Sequence, residues 1–185
     1  PTCEEREAWE VVHRHGKHYF RDRRNGALHW LNEDLAHMAE VANQTQHVFD
    51  RADVREKVHI KPARAILESG VYDHISQAAR VYGESQCLMN GVVGTFWQCH
   101  WYVGETNLFA MLYDAPDLIA YLSERLLEKT IEDIRALAEA GDDAIYIDDA
   151  LTTNDLISVA FYERFSMPYV RRMVEEIHAL GKRAV

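Results

Sequence analysis

Residues 116–140 carry apolar side chains at Ile119, Leu122, Leu126, Ile131, Ile134 and Leu137. That spacing predicts one long amphipathic helix. Pro116 falls in its first turn and Gly141 just past its end, the positions each residue favours. A short apolar run from Ala144 to Ile147 follows, of strand length, closed by Asp148 and Asp149. A polar loop over 151–155 then leads to a second helical pattern opening near Ser158, with Phe161, Tyr162, Phe165, Tyr169, Met173 and Ile177. Pro168 within that pattern predicts a kink or a break into two helices. Gly181 ends it, and residues 182–185 read as the start of another strand. Upstream, residues 86–94 (QCLMNGVVG) predict a strand with little alternation, as when both faces are covered. Strands separated by long helices are the pattern of a parallel α/β sheet.

The first half is patterned differently. Glu4 to His13 is read as a helix, and the stretches on either side of RRNG as a hairpin turning at Asn25-Gly26. The hairpin is read as a covering flap. Asn32 is the expected N-cap of a helix with Leu35, Met38, Ala39 and Ala42 on one face. KVHI (57–60) is a candidate short strand before Pro62. One short helix is expected to end at Gly70, and another, capped by Asp73, to close at Gly83. No repeat or low-complexity linker divides the chain, so 1–185 is expected to form one domain, with 1–48 a helix and hairpin region of unassigned role. The first residue is proline rather than methionine, which reads as a processed chain or a slice of a longer one.

Composition narrows the function classes. A net charge of −10 disfavours a nucleic-acid partner, which would want a basic face. No apolar run approaches the roughly 18 residues of a membrane span. Cys3, Cys87 and Cys99 form no CxxC pair, which fits a reducing, cytoplasmic setting. His13, His15 and His18 lie among charged residues and are expected at the surface.

Candidate chemistry gathers where strands end, since parallel sheets bind at their carboxyl ends. Along an extended chain Ile145, Ile147 and Asp149 share one face, and Tyr146 and Asp148 the other. Two branched side chains followed by an acid suit an inward barrel face, which would put Asp149 at the mouth with no structural duty in the core beneath. The segment after the first strand, TFWQCHWYVGETN, reads two ways. If extended, Gln98, His100 and Tyr102 line one side and Trp97, Cys99 and Trp101 the other. If helical, Trp97 pairs with Trp101 and Gln98 with Tyr102. Either way polar tips and aromatic rings crowd a strand exit, as in a pocket, although for the tryptophans ordinary aromatic packing under a loop is the favoured reading. Asp149 is the leading candidate, with His100, Asp148 and Gln98 as substrate-binding candidates. No metal ligands are assigned.

The motifs DAIYIDD, LIS, the aromatic helix with MPY, the closing GKRAV, and upstream GVVGTFWQCHWYVGE and DAPDL resemble, in order and spacing, the middle of the uroporphyrinogen decarboxylase superfamily over about residues 71–185. The resemblance implies a (β/α)8 TIM barrel, here partial: such a barrel needs ~250 residues, and the strands at 86–94, 143–148 and 182–185 would be part of it. It implies either methyl transfer involving a corrinoid or a zinc-activated thiol, or decarboxylation of a tetrapyrrole. Tyr102 falls where the decarboxylase keeps a substrate-contacting tyrosine, and Asp149 where the family often has an acid; both are the expected catalytic residues. Ala150 stands where the decarboxylase has a substrate-contacting serine. The decarboxylase's arginine loop and the methyltransferases' His-x-Cys zinc motif have no counterpart in the stretch compared, so no cofactor is assigned within this chain, and zinc or a corrinoid is expected only with the full-length protein. A barrel fragment or binding module without chemistry is the remaining alternative. Exposed sheet edges also imply a homo-oligomer.

Overall fold

A 25-residue helix, Pro116–Ala140, is the spine against which the other described α-helices and the strands at 89–93 and 144–148 pack. In the computed structural model, which describes residues 7–15, 17–30 and 48–185, the eleven buried residues of that helix include Ile119, Leu122, Leu126, Leu127, Ile134 and Leu137, these six all 2% exposed or less. The helix runs the full predicted length because Pro116 sits at its start and Gly141 leaves it in a left-handed conformation (φ 119°).

In chain order, β1 (Trp9–Arg14), β2 (Lys17–Asp22) and β3 (Leu28–Trp30) form an antiparallel meander. Helices α1 (Arg51–Lys57), α2 (Ala63–Glu68) and α3 (Asp73–Tyr82) follow. Then come β4 (Met89–Val93), α4 (Thr95–Val103), α5 (Glu105–Asp114), the spine helix α6 and β5 (Ala144–Asp148). A 3-10 turn (Ala150–Thr152), α7 (Val159–Phe165), α8 (Met167–Ala179) and β6 (Arg183–Ala184) complete it. β4, β5 and β6 lie in that order in one parallel sheet, with Gly91 opposite Tyr146 and Ile145 opposite Ala184. The expected parallel pairing is therefore present, with α4, α5 and α6 as the crossover. The chain is a mixed α/β fold with a three-stranded parallel sheet and covering helices, consistent with part of a TIM-type barrel; no closed barrel is formed among the described residues.

The break expected at Pro168 is present: Ser166 separates α7 from α8, with Pro168 in the first turn of α8. The helix expected over Glu4 to His13 is corrected. Trp9–Arg14 is a strand whose residues pair one for one with β2, because β2 offers it a ladder that outweighs local helix preference. The turn at Asn25-Gly26 also differs. Five residues join β2 to β3, the Gly26 N–H donating to the Asp22 carbonyl at 2.7 Å, with Gly26 at φ 74°. KVHI forms no strand; α1 runs to Lys57 and Val58 is its extended C-cap. Asp73 lies in the first turn of α3 and Tyr72 is its N-cap. The helix expected from Asn32 lies outside the described residues.

Two buried clusters result among the described residues. One lies between α6, α4, α5, α1 and α7, around Phe96, Leu108, Ile119, Leu122 and Phe165. The other joins the sheet to α6 and α8 through Val92, Ile145, Leu127, Ile134, Met173 and Ile177.

Candidate functional site

Alternation sorts the sheet residues onto two faces. Val92, Ile145 and Ile147 pack against α6 and α8. Met89 and Tyr146 stand on the opposite face, 51% and 40% exposed, and Asp148 shares that face by the period of two. The tyrosine ring lies over its cross-strand partner Gly91, where a Cβ would come within 2.2 Å of the ring. In a βα barrel the helices lie outside, so the open face carries Tyr146 and Asp148. This corrects the expectation that Ile145, Ile147 and Asp149 look inward. The helix-covered face is theirs because the α6 and α8 stripes need branched apolar partners.

Asp149 accordingly has a structural duty. Its carboxylate turns back over the C-terminal end of β4 and accepts the Trp97 backbone N–H at 2.9 Å and the Ser166 hydroxyl at 2.6 Å. Trp97 is the third residue of α4, the one whose N–H an N-cap side chain ordinarily takes. The helix's own N-cap is Gly94, which has no side chain to offer. A Cβ on Gly94 would lie 2.4 Å from the Asp149 Cγ. Glycine thus vacates the capping position and an aspartate from the neighbouring strand fills it. Burial raises the Asp149 pKa above the ordinary carboxylate value; its two hydrogen bonds pull it down, and the charge of Asp148 pushes it up again.

Of the two readings of residues 95–103, the structure is helical. Trp97 and Trp101 do approach, with ring centroids 6.5 Å apart. His100 lies against both, stacked on Trp97 at 6.3 Å and 5.6 Å from Trp101, and its Nδ1 contacts the Trp97 carbonyl. Gln98 is 3% exposed, and its Nε2 donates to the Val93 carbonyl at 2.7 Å and to the Thr130 hydroxyl at 2.8 Å. It ties β4 and α6 to α4 at the rim of a cavity of about 180 Å³ that Tyr72, Trp101, Lys129 and Asp133 also line. Tyr102 packs on the cluster around Val48 and Val54, its carbonyl accepting the Val48 N–H at 2.8 Å. Burial raises its phenol pKa, with a smaller push from Cys99.

The structure therefore gathers Asp148, Asp149, Trp97 and His100 at the carboxyl ends of β4 and β5. Gln98 and Tyr102 lie on the packed side of α4. Among the described residues no group of three His, Cys, Asp or Glu side chains converges to hold a metal. Ser166, Gly94 and Tyr146 were missed from sequence. The glycine at a strand-to-helix junction was the available signal, since such a residue often marks a close approach.

Compared with known proteins, residues 36–185 match the model of the family described as "Uroporphyrinogen decarboxylase (URO-D)", well over half of the chain. The match begins upstream of residue 71, where the motif resemblance starts. Among curated proteins, the methylcobamide:CoM methyltransferase MtbA of Methanosarcina mazei is 25% identical over 118 residues, 62% of this chain and 34% of that protein. The uroporphyrinogen decarboxylase of Syntrophotalea carbinolica is 32% identical over 71 residues, 38% of this chain and 20% of that protein. The enzyme of the same description from Dechloromonas aromatica is 32% identical over 111 residues, 56% of this chain and 30% of its own. These matches span between a fifth and about a third of the relatives' lengths. No helix among the described residues is long and apolar enough to cross a membrane.

Proposed function

The chain belongs to the uroporphyrinogen decarboxylase family, and from that premise we propose that its full-length protein is a methyltransferase acting on a small thiol with a corrinoid methyl donor. One observation carries this reading over decarboxylation. The residues at the strand ends, 94–101 and 148–155, include no lysine or arginine and three aspartates. A substrate bearing several carboxylates would meet repulsion there, whereas a thiol or a neutral ring face would not. The runner-up, decarboxylation of a tetrapyrrole, draws on the decarboxylases among the relatives, some at 32% identity.

In this reading Asp148, on the open face, orients the substrate. Asp149 holds the start of α4 against the strand ends, and Trp97 and His100 wall the site. Tyr102 and Gln98 support α4 from behind. Zinc, when bound, would supply a Lewis acid that activates the thiol. The described residues do not fit such a site, so its ligands lie outside them and no step is derived through it. The same reading makes the protein a homo-oligomer in the cytoplasm with no nucleic-acid partner.

The test is methyl transfer from methylcobalamin to 2-mercaptoethanol by the full-length protein, followed through the cobalamin spectrum, beside carbon dioxide release from uroporphyrinogen. We expect methyl transfer, and a fall of ten-fold or more in Asp148→Asn, the low end of what a positioned carboxylate contributes, with ~10²–10⁴ typical of acid–base groups. Release of carbon dioxide without methyl transfer establishes the second reading. Neither activity would leave a barrel module without chemistry.

A further inference from the structure

His100 is the one candidate whose ring nitrogens the structure distinguishes. Its Nδ1 meets the carbonyl oxygen of Trp97. A backbone carbonyl only accepts, so Nδ1 must carry the hydrogen, and in a neutral imidazole Nε2 is then a lone-pair acceptor. The carbonyl that selects this tautomer belongs to the residue whose N–H is fixed by Asp149 at 2.9 Å. The other carboxylate oxygen is braced by Ser166 at 2.6 Å. Ser166 is fully buried at the break between α7 and α8 and makes no side-chain cap of its own helix. A series of polar contacts thus runs from Ser166 through Asp149 to the Trp97 N–H, and across the Trp97 Cα the carbonyl of the same residue meets the imidazole. Trp97, stacked at 16° to the imidazole plane, and Trp101 restrict the ring further.

We infer that His100 is held as the Nδ1–H tautomer with Nε2 presented as a proton acceptor, and that Ser166 is the remote positioning residue that keeps it so. Resting on the methyl-transfer reading, the acceptor has a partner: the thiol of the substrate. The thiol proton passes to Nε2, the S–H electron pair stays on sulfur, and the products are a thiolate and an imidazolium. The Trp97 carbonyl remains bonded to Nδ1–H throughout, so the ring need not turn.

The experiment uses the full-length protein labelled with ¹⁵N-histidine. Long-range proton–nitrogen spectra report the tautomer, and His100→Gln assigns the signal. In the wild type, the His100 signals are expected to show Nδ1 protonated and Nε2 bare. Ser166→Ala is expected to move the Trp97 amide and to mix the two tautomers, and Ser166→Thr, which keeps the hydroxyl, to restore both. Should Ser166→Ala not fold, Ser166→Cys, a weaker donor at the same place, carries the comparison. With methylcobalamin and 2-mercaptoethanol, His100→Gln should lower kcat by about 10²-fold. Ser166→Ala should lower kcat several-fold with KM little changed, and Ser166→Thr should recover it. An Nε2–H tautomer in the wild type, or a Ser166→Ala protein with unmoved Trp97 and His100 signals, overturns the inference. Nitrogen signals that follow the pattern in a protein without methyl transfer sink the proposed reaction and leave the positioning of His100 standing.

Discussion

Replacing Asp149 tests the borrowed cap most directly. In Asp149→Ala the Trp97 N–H loses its acceptor, which for a helix cap costs about 0.5–2 kcal/mol. The Ser166 hydroxyl, on a residue with no exposed surface, loses its partner as well; an orphaned buried donor costs about 1–3 kcal/mol. Removing a carboxylate whose burial is unfavourable gives part of this back, so a net loss of about 2–3 kcal/mol is expected. Asp149→Asn differs in kind. The amide oxygen can still accept from Trp97, the amide nitrogen can donate to Ser166, and the buried charge is gone. Its cost should stay within about 1 kcal/mol, near the range of surface changes.

The pH dependence separates the two replacements further. Because the Asp149 pKa is raised above 3.8 in the folded chain, the native state holds this proton more tightly than the unfolded state. The associated stability is fully present below 3.8 and is lost as pH rises through the folded value. Asp149→Asn escapes that loss, so relative to wild type it should gain stability between pH 3 and pH 7. Urea unfolding at several pH values, comparing midpoints at constant slope, reads both effects. An Asp149→Ala cost under about 0.5 kcal/mol, the scatter of surface substitutions, would show that α4 does not depend on this cap. A flat difference between wild type and Asp149→Asn across pH would refute the raised pKa.

Gly94→Ala should destabilise the chain by about 1–3 kcal/mol, as overpacking does, since its Cβ would sit 2.4 Å from the Asp149 carboxyl carbon; the double variant with Asp149→Ala should cost less than the two singles together, and strict additivity in urea unfolding would refute the clash. Cys99 is fully buried beside the Ser123 hydroxyl, with its thiol pushed up to about 12 mainly by burial, whereas Cys87 is exposed. Alkylation at pH 8 with peptide mapping should therefore mark Cys87 and spare Cys99 until the chain unfolds, and early labelling of Cys99 would count against that packing. Among the described residues β4 and β6 are the edge strands of the parallel sheet, so the isolated chain should self-associate, and light scattering from a stable, monodisperse monomer would contradict this.

Much of the second half was legible because its elements obey local rules. Pro116 and Gly141 bracket α6, and Ser158 caps α7 with its hydroxyl 3.3 Å from the Phe161 N–H. The parallel pairing followed from strands separated by long helices. The orientation of β5 was not legible. Ile145, Tyr146 and Ile147 are all apolar enough for either face, and only the placement of α6 and α8 decides between them. Asp149 was placed at a strand end correctly but given the wrong surroundings, since its partners lie 52 residues back and 17 residues ahead. The strand at Trp9–Arg14 failed for a similar reason: its ladder with β2 is a property of two segments. His100 was singled out as a polar tip, yet its tautomer depends on a helix that the sequence left open as one of two conformations.

The pairing of Tyr146 with Gly91 bears on how the sheet finds its alignment. Parallel strands slide past each other in steps of two residues without changing faces, so the apolar pattern alone does not choose among such steps. Moving β5 one step along β4 would set the Tyr146 ring against Met89 or Val93 instead of Gly91. Gly91 is the position in β4 with no side chain on that face, and the ring fills the space it leaves. Tyrosine and glycine together act as a key and its notch, admitting one alignment. That alignment brings Asp148 level with Val93 and so carries Asp149 to the start of α4. A slipped sheet would keep its hydrophobic core and lose its cap.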